Sequence, residues 1–364
     1  MPLEINSINV IDSRLAFSCV SLWTYFFGTF ILAVEATNPL FLLVLLTGPV
    51  ATYYFLLQIS IPQPNLDIAE EILGRPLTPE HTKEIDCDEK EDHRVQMPVI
   101  AHRFAGLDAP ENTLEALEVC YKNGAIGAEF DLVLTKDLVP ILFHDIDLDR
   151  LTSATGELQN KTWAELQNLD VSINHPFHER FVGARMPLFE DVIKKVIEYD
   201  MRIFIDIKDE RVEIARIIVE TFQQNPILYR RAVVSSFNFW IIYNIRKRDP
   251  NIVASMAWRP YYMTYCKYSV IEDECIPYNR TPIMYYWGRL LDHLTTWFFN
   301  NLAYKLSGFS AVLLCKDIIT VEVVNYWRLR NVRVIAWTVN SPLEKVYFVK
   351  NLGVAYMTDS MLGN

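Results

Sequence analysis

The sequence predicts an α/β protein, a (β/α)8 barrel of the TIM type, preceded by an N-terminal transmembrane hairpin. Three observations carry the barrel. After Pro98, short β-branched or apolar runs alternate with amphipathic segments, the pattern of a parallel sheet wrapped by helices. Eight such runs fit into residues 99–364, the size of one barrel. No Gly-rich dinucleotide turn or P-loop follows any of them, which argues against a doubly wound open sheet.

The elements follow in chain order. From Leu15 to Val34 the chain reads LAFSCVSLWTYFFGTFILAV, uncharged between Arg14 and Glu35, and PLFLLVLLTGPVATYYFLLQI follows from Pro39. About 20 apolar residues cross a bilayer as a helix. Residues 1–61 are therefore expected to form a membrane segment of one or two helices, near 15–34 and 39–59. A cleaved signal peptide fits poorly, because the first run is long and aromatic and a second follows. A pair of buried core helices would carry polar faces, and these runs carry almost none. Few Lys or Arg residues flank the runs, so charge fixes no orientation. Asn160-Lys161-Thr162 and Asn279-Arg280-Thr281 are glycosylation sequons and point weakly to a lumenal or extracellular domain.

Residues 62–98 are charged, Pro-punctuated and poor in aromatics, and read as a linker with a short helix around Leu66–Leu73. Strands are predicted at Val99–Arg103, Ala128–Thr135, Arg202–Lys208, Ala232–Phe237, Ile252–Trp258, Ala311–Lys316, Val332–Val339 and Val354–Asp359. Helices are predicted at Glu111–Asn123, Phe189–Tyr199, Glu210–Gln223, Asn238–Arg248, Val321–Arg330 and Pro342–Lys350. An insertion, 259–310, separates the fifth and sixth strands. From Met284 to Leu306 it reads as a helix with Trp287, Leu290, Leu291, Leu294, Trp297, Phe298 and Leu302 on one face. That stripe suits either packing on the barrel or a membrane interface.

Composition limits the function. The net charge is −11 with 51% hydrophobic and 22% charged residues, so broad attraction to nucleic acid is not expected. An acidic protein acting on a phosphate ester needs local positive charge, from a metal ion or a few Lys and Arg. No CxxC pair occurs among the six cysteines, which argues against a zinc ribbon or thioredoxin-type site. Cys266 and Cys275 read equally as a pair or as two free thiols.

In a barrel, reactive groups belong at strand C-terminal ends. The first strand ends in His102-Arg103, the second carries Glu129 and Asp131, and the third ends in Asp206 and Lys208. Residues two apart share a strand face, so Glu129 joins Asp131 and Asp206 joins Lys208. Val139–Asp145 reads as a return strand turning near Asp137, which brings His144 opposite Phe130. Asp145 is then at hand to orient an imidazole. Three carboxylates make a hard oxygen site for Mg²⁺, with Ca²⁺ as the alternative. Two histidines supply a general base and a general acid, and Arg103 and Lys208 contact phosphate oxygens. Singly, each group has a structural reading; their concentration at successive strand ends favours phosphodiester chemistry.

At these residues the chain resembles the glycerophosphodiester phosphodiesterases, a family of phospholipase C-like barrels. The matching runs are His102-Arg103 … Pro110-Glu111-Asn112-Thr113, then Ala128-Glu129-Phe130-Asp131 … Thr135-Lys136-Asp137 … Phe143-His144-Asp145. Ile205-Asp206-Ile207-Lys208, Ser235-Ser236-Phe237, Trp337-Thr338-Val339-Asn340 and Thr358-Asp359-Ser360 continue the series. The resemblance runs from about Val99 to the C-terminus. The hydrophobic N-terminus and the Trp258-Arg259-Pro260 region resemble the animal membrane-bound type-1 branch. That branch implies glycerophosphoinositol and lysophospholipid-like glycerophospho-N-acylethanolamine substrates, and a membrane protein with its catalytic domain outside or in the lumen.

By resemblance, His102 and His144 are the catalytic pair, and Glu129, Asp131 and Asp206 hold the metal. Arg103 and Lys208 hold phosphate, and Lys316 and Trp337 line the pocket. Phe104 stands where the family usually has Gly after His-Arg, and Leu138 where Gly usually follows Asp137. Asp206 is shorter than the Glu of many soluble members. Two other functions remain in view. A phospholipase C- or D-like barrel would accumulate a cyclic phosphate instead of linear glycerol phosphate. A catalytically silent membrane scaffold would have lost groups that are intact here.

Overall fold

The computed structural model describes residues 39–74, 97–269, 274–278 and 281–362. The chain divides into two compact units, one of residues 63–292 with 309–364, the other of residues up to Pro62 with 293–308.

In chain order the strands are β1 (Val99–Ala101), β2 (Gly127–Leu134), β3 (Pro140–Leu142), β4 (Arg202–Ile207), β5 (Ala232–Ser236), β6 (Ala254–Trp258), β7 (Tyr265–Ser269), β8 (Glu274–Pro277), β9 (Ala311–Cys315), β10 (Arg333–Trp337) and β11 (Ala355–Thr358). The longer helices are α1 (Pro39–Ile59), α2 (Leu66–Leu73), α3 (Leu114–Lys122), α4 (Phe189–Glu198), α5 (Glu213–Gln224), α6 (Phe239–Arg248), α7 (Pro282–Phe298) and α8 (Val321–Arg328).

Eight strands, all except β3, β7 and β8, run parallel and close on themselves. The sheet closes through Val99↔Tyr356 and Ala101↔Thr358 on one side of β1 and Ala101↔Ala128 on the other. The expected barrel is present. Every residue of β2 and β4 is buried, as strands covered on both faces require. Helical apolar residues return at intervals of three and four, and bury that stripe: Phe189, Val192, Ile193 and Val196 in α4, Ile214, Ile218 and Phe222 in α5. Side-chain caps start several helices. Thr113 Oγ1 accepts from Ala116 N at 3.1 Å, and Asn238 Oδ1 from Trp240 N at 2.9 Å.

The barrel interior is filled near its N-terminal end by Ile100, Phe204, Val233, Val253, Leu313, Ile335 and Met357. Ala69, Ile72 and Leu73 of α2 pack into the same cluster, and Glu71 pairs with Arg231 at 3.2 Å. Residues 63–74, expected as part of a linker, are thus a stopper for the barrel. The short helix was readable at Leu66–Leu73; its destination was not.

β3 runs antiparallel to β2, with Leu132↔Leu142 and Leu134↔Pro140 in register, so the expected hairpin forms. Leu138 takes the left-handed conformation usual for Gly, at φ 64°. The turn closes through Val139 N to Thr135 Oγ1 at 2.9 Å and Leu138 N to Thr135 O at 3.1 Å. Residues after β3 fold over the hairpin around a small core of their own. Val133, Ile141, Phe143, Leu148, Leu158 and Leu166 are its centre.

The insertion between β6 and β9 holds the hairpin β7–β8 and then α7. The expected helix is there, but its buried side is not the apolar stripe. Gly288 and Asp292 are buried, and the Asp292 carboxylate accepts from Met263 N at 2.8 Å and from Thr264 Oγ1. Ile283, Trp287, Leu290 and Leu294 are exposed. Cys266 is a free thiol whose Sγ donates to Ile276 O at 3.2 Å.

In the other unit α1 is a continuous helix of 21 residues over part of the second apolar run. Ile61 N donates to Leu306 O at 2.9 Å. Gly308 sits at φ 63°, and a Cβ there would lie 2.4 Å from Ile61 O, so only Gly fits. The stretch 15–34 lies outside the described residues. Among the described residues no helix is long and apolar enough to cross a membrane.

Candidate active site

The site grows from the register of two neighbouring strands. Glu129 and Asp131 lie two apart on β2, and Asp131 is level with Asp206 on β4. One oxygen from each of the three carboxylates lies within 4.8 Å of the others, and all three residues are buried. Lys208 Nζ lies 2.5 Å from Asp206 Oδ2 and 3.2 Å from Asp131 Oδ1. Arg103 Nε stands 3.5 Å from Asp131 Oδ2, and Arg103 N donates to Glu129 Oε2 at 2.9 Å.

Two cations face three acids, and the titration preferences show what that imbalance does. Burial, then the Asp131 charge, pushes Glu129 above the ordinary carboxylate range. Asp131 goes the other way: burial would raise it, but Lys208, His144 and Arg103 together hold it below that range. Asp206 Oδ1 is buried and receives no hydrogen bond, and buried Asp131 Oδ1 has only the Lys208 ion pair at 3.2 Å. Buried acceptors are ordinarily satisfied. Converging hard oxygens with open lone pairs are what Mg²⁺ or Ca²⁺ takes, so the residues present fit a divalent ion.

The first histidine does not end a strand, as the sequence suggested. β1 stops at Ala101, and His102–Phe104 make one tight turn in which Arg103, Phe104 and Ala105 have φ of 49°, 63° and 61°. Such values cost an L residue about 1–2 kcal/mol each, and strain of this kind collects at functional sites. Phe104, in the Gly position, is buried with its ring against Phe130 at 5.5 Å. His102 Nδ1 lies 2.5 Å from Asp359 Oδ1, and Nε2 lies 3.8 Å from Glu129 Oε2. Burial lowers the affinity of His102 for its proton, but the Asp359 hydrogen bond and the Glu129 charge outweigh it and raise the pKa. Asp359 is itself fixed by Asn340, whose Nδ2 donates to Asp359 Oδ2 at 2.7 Å.

The second histidine stands beyond β3, which ends at Leu142. Phe143 N donates to Asp131 O at 3.1 Å, anchoring the segment beside the carboxylates. His144 Nδ1 lies 2.7 Å from Asp145 Oδ1. Its charge is among those that lower Asp131. Both imidazoles thus present Nδ1 to an aspartate.

Around this core, Asn112 at φ 58° grips Asp131 twice, Nδ2 to Oδ2 at 2.8 Å and Asp131 N to Oδ1 at 3.0 Å. Arg103 Nη1 reaches Glu111 Oε1 at 3.0 Å. Arg150 joins Glu111 to Asp145, with Nη2 to Glu111 Oε1 at 2.7 Å and Nε to Asp145 Oδ2 at 2.5 Å.

The structure therefore gathers His102, Arg103, Glu129, Asp131, Asp206 and Lys208, with His144 beside them. Lys316 and Trp337 close β9 and β10 at the same end but are engaged otherwise. Lys316 Nζ is held by Glu344 at 2.8 and 2.9 Å. Trp337 Nε1 donates to Leu313 O at 3.2 Å, and its ring meets Phe237, over which Lys208 Nζ lies at 5.6 Å. Sequence reading gave no role to Asp359, Asn112, Glu111 or Arg150. The first three stand in quoted motifs, whereas nothing in the sequence alone marks Arg150.

Comparisons with known proteins agree with this geometry. The profile of the glycerophosphoryl diester phosphodiesterase family matches residues 102–361. Glycerophosphodiester phosphodiesterase 1 of Bos taurus is 33% identical over 273 residues, 74% of this chain and 80% of its own. The Homo sapiens protein of that name is 31% identical over 269 residues, with the same coverage. Among solved structures, a glycerophosphodiester phosphodiesterase from Agrobacterium tumefaciens superposes with a TM-score of 0.55 at 18% identity, covering 73% of this chain and 97% of its own. An Oleispira antarctica phosphodiesterase, solved with its product sn-glycerol-3-phosphate, gives 0.53 at 21% identity over 71% and 91%. At those identities the structural likeness speaks for the fold.

Proposed function

Because the chain belongs to the glycerophosphoryl diester phosphodiesterase family, in its animal type-1 branch, we propose that it hydrolyses glycerophosphodiesters to glycerol phosphate and an alcohol by acid–base catalysis between His102 and His144. One observation carries this reading. Two imidazoles, each held at Nδ1 by its own aspartate, flank three converging buried carboxylates.

Glu129, Asp131 and Asp206 would hold the divalent ion, Mg²⁺ in our reading with Ca²⁺ as the alternative. Such an ion screens the charge that grows on phosphoryl oxygens. Arg103 and Lys208 face the same oxygens as fixed cations. One imidazole Nε2 takes a proton from the attacking water as its oxygen bonds to phosphorus. The bond from phosphorus to the alcohol oxygen breaks, and the other imidazole, entering protonated, gives that oxygen its proton. The sn-glycerol-3-phosphate bound by the Oleispira antarctica enzyme suits this product. Glycerophosphoinositol and lysophospholipid-like glycerophospho-N-acylethanolamine are the substrates we assign, with Lys316 and Trp337 beside the departing alcohol.

The test is a glycerophosphodiester panel with and without EDTA, alongside Glu129→Ala, Asp131→Ala and Asp206→Ala. We expect chelation and each substitution to abolish turnover, with added Mg²⁺ restoring the wild type alone. Full turnover under thorough chelation would remove the ion from the mechanism. A persistent cyclic phosphate would favour the phospholipase-like route.

We assign the protein to a membrane, with the catalytic domain in the lumen or outside. The apolar runs at 15–34 and 39–59 support this, as do the exposed Ile283, Trp287, Leu290 and Leu294 of α7, which suit a lipid surface. Asn160 is exposed, as a glycan acceptor must be; Asn279 lies outside the described residues. A mass shift lost in Asn160→Gln is expected, and a C-terminal tag reporting the cytosol would overturn the orientation.

A further inference from the structure

We propose that Arg150 is a positioning residue, a clamp that fixes His144 through Asp145 and Arg103 through Glu111. The inference rests on the assignment of His144 to proton transfer. Arg150 comes from the segment folded over the β2–β3 hairpin, not from the barrel wall. Its guanidinium spends all three nitrogens on two carboxylates. Nε and Nη2 meet Asp145 Oδ2 and Oδ1 at 2.5 and 3.1 Å, while Nη1 and Nη2 meet Glu111 Oε2 and Oε1 at 2.9 and 2.7 Å. Each carboxylate passes the constraint onward: Asp145 Oδ1 to His144 Nδ1 at 2.7 Å, Glu111 Oε1 to Arg103 Nη1 at 3.0 Å.

The geometry separates positioning from two simpler roles. Among the described residues the ion pairs of Arg150 go to Glu111 and Asp145 and not to Glu129, Asp131 or Asp206, so it does not complete the carboxylate site. Its side chain is 47% exposed, and exposed ion pairs contribute little to stability. What the fork supplies is angle. A planar guanidinium bonded at both edges sets the plane of each carboxylate, which a Lys point charge cannot do. Without it Asp145 turns freely about its own side chain, and His144 loses the partner that fixes which nitrogen faces the substrate.

Removing an outer group that acts on the site only through another side chain costs about 10–100-fold. Arg150→Ala and Arg150→Lys should both lower kcat by about that factor, with melting temperatures close to wild type. In an Asp145→Ala background, Arg150→Ala should change kcat little, because the route to His144 is already cut, yet still raise KM through Glu111 and Arg103. Guanidinium ion added to Arg150→Ala should restore part of kcat and do nothing for His144→Ala.

Wild-type kcat in Arg150→Ala overturns the clamp, as do full multiplication of the Asp145 and Arg150 effects or equal activity of Arg150→Lys and wild type. If Arg150→Ala fails to fold, the role is structural and the proposal falls with it unless Arg150→Lys folds and shows the kcat loss. His144→Ala separates the two readings. Retained activity there sinks the assignment of His144 itself, whereas collapse there with a silent Arg150→Ala sinks only the clamp.

Discussion

The two histidine arms of the site pair an imidazole with an aspartate by different construction. His102 sits on a strained turn at the end of β1, and its aspartate comes from the far end of the chain, 257 residues away. His144 stands in a connection with a small core of its own, and its aspartate is the next residue. The His102 side chain is 14% exposed and that of His144 30%. Barrel closure builds the first pair, since β11 must lie beside β1 before Asp359 can reach His102. Local backbone builds the second, and Arg150 holds it from outside. One arm belongs to the frame, the other is hung on it.

The sharpest way to break that contrast is to remove each imidazole and each partner in turn. His102→Ala and His144→Ala should each lower turnover about 10²–10⁴-fold, the worth of a general acid or base. Partner removal should then discriminate. Asp359→Asn should cost about 10³–10⁴-fold, as when a buried aspartate no longer holds an imidazole in the right tautomer. Asp145→Asn should cost less, about 10²-fold, because water reaches the more exposed His144 and can serve its Nδ1. Steady-state kinetics on purified variants reads both. Equal losses would mean that burial does not distinguish the arms.

A smaller effect tests the turns that support them. Both arms carry a left-handed non-Gly residue where the family usually has Gly. Phe104 is buried, so Phe104→Gly would relieve about 1–2 kcal/mol of backbone cost but forfeit about 3–5 kcal/mol of packing. Leu138 is 42% exposed, so Leu138→Gly forfeits less packing than Phe104→Gly while relieving the same backbone cost. Thermal unfolding should fall for the first and rise slightly for the second. A rise in both would show that the Phe104 ring contributes nothing to the frame.

These differences also mark where sequence reading succeeds. The strands were readable to within about two residues at most boundaries, because two-residue alternation and β-branched runs are local signals. His144-Asp145 was readable as an orienting pair because both members are adjacent. The His102–Asp359 pair was not, since only ring closure brings residues so distant together. The core of Leu148, Leu158 and Leu166 has no helical or strand period, so nothing announced that Arg150 would be folded back onto the site. In α7 the apolar period was plain, but a period says only that a stripe exists. The buried Asp292 is bonded to Met263 and Thr264, while Trp287, Leu290 and Leu291 of the stripe are exposed. The helix at Leu66–Leu73 was likewise visible as a helix, and its place inside the barrel end was not.

The division of labour between the two arms can be tested through the leaving group. An alkyl alcohol must be protonated as it departs, whereas a p-nitrophenolate leaves without a proton. The measurement is kcat/KM for wild type, His102→Ala and His144→Ala on an alkyl glycerophosphodiester and on its p-nitrophenyl counterpart. If one histidine is the acid and the other the base, one variant should recover most of its about 10²–10⁴-fold loss on the p-nitrophenyl substrate while the other stays impaired. Equal impairment of both variants on both substrates, or loss in neither, would contradict the two-histidine mechanism.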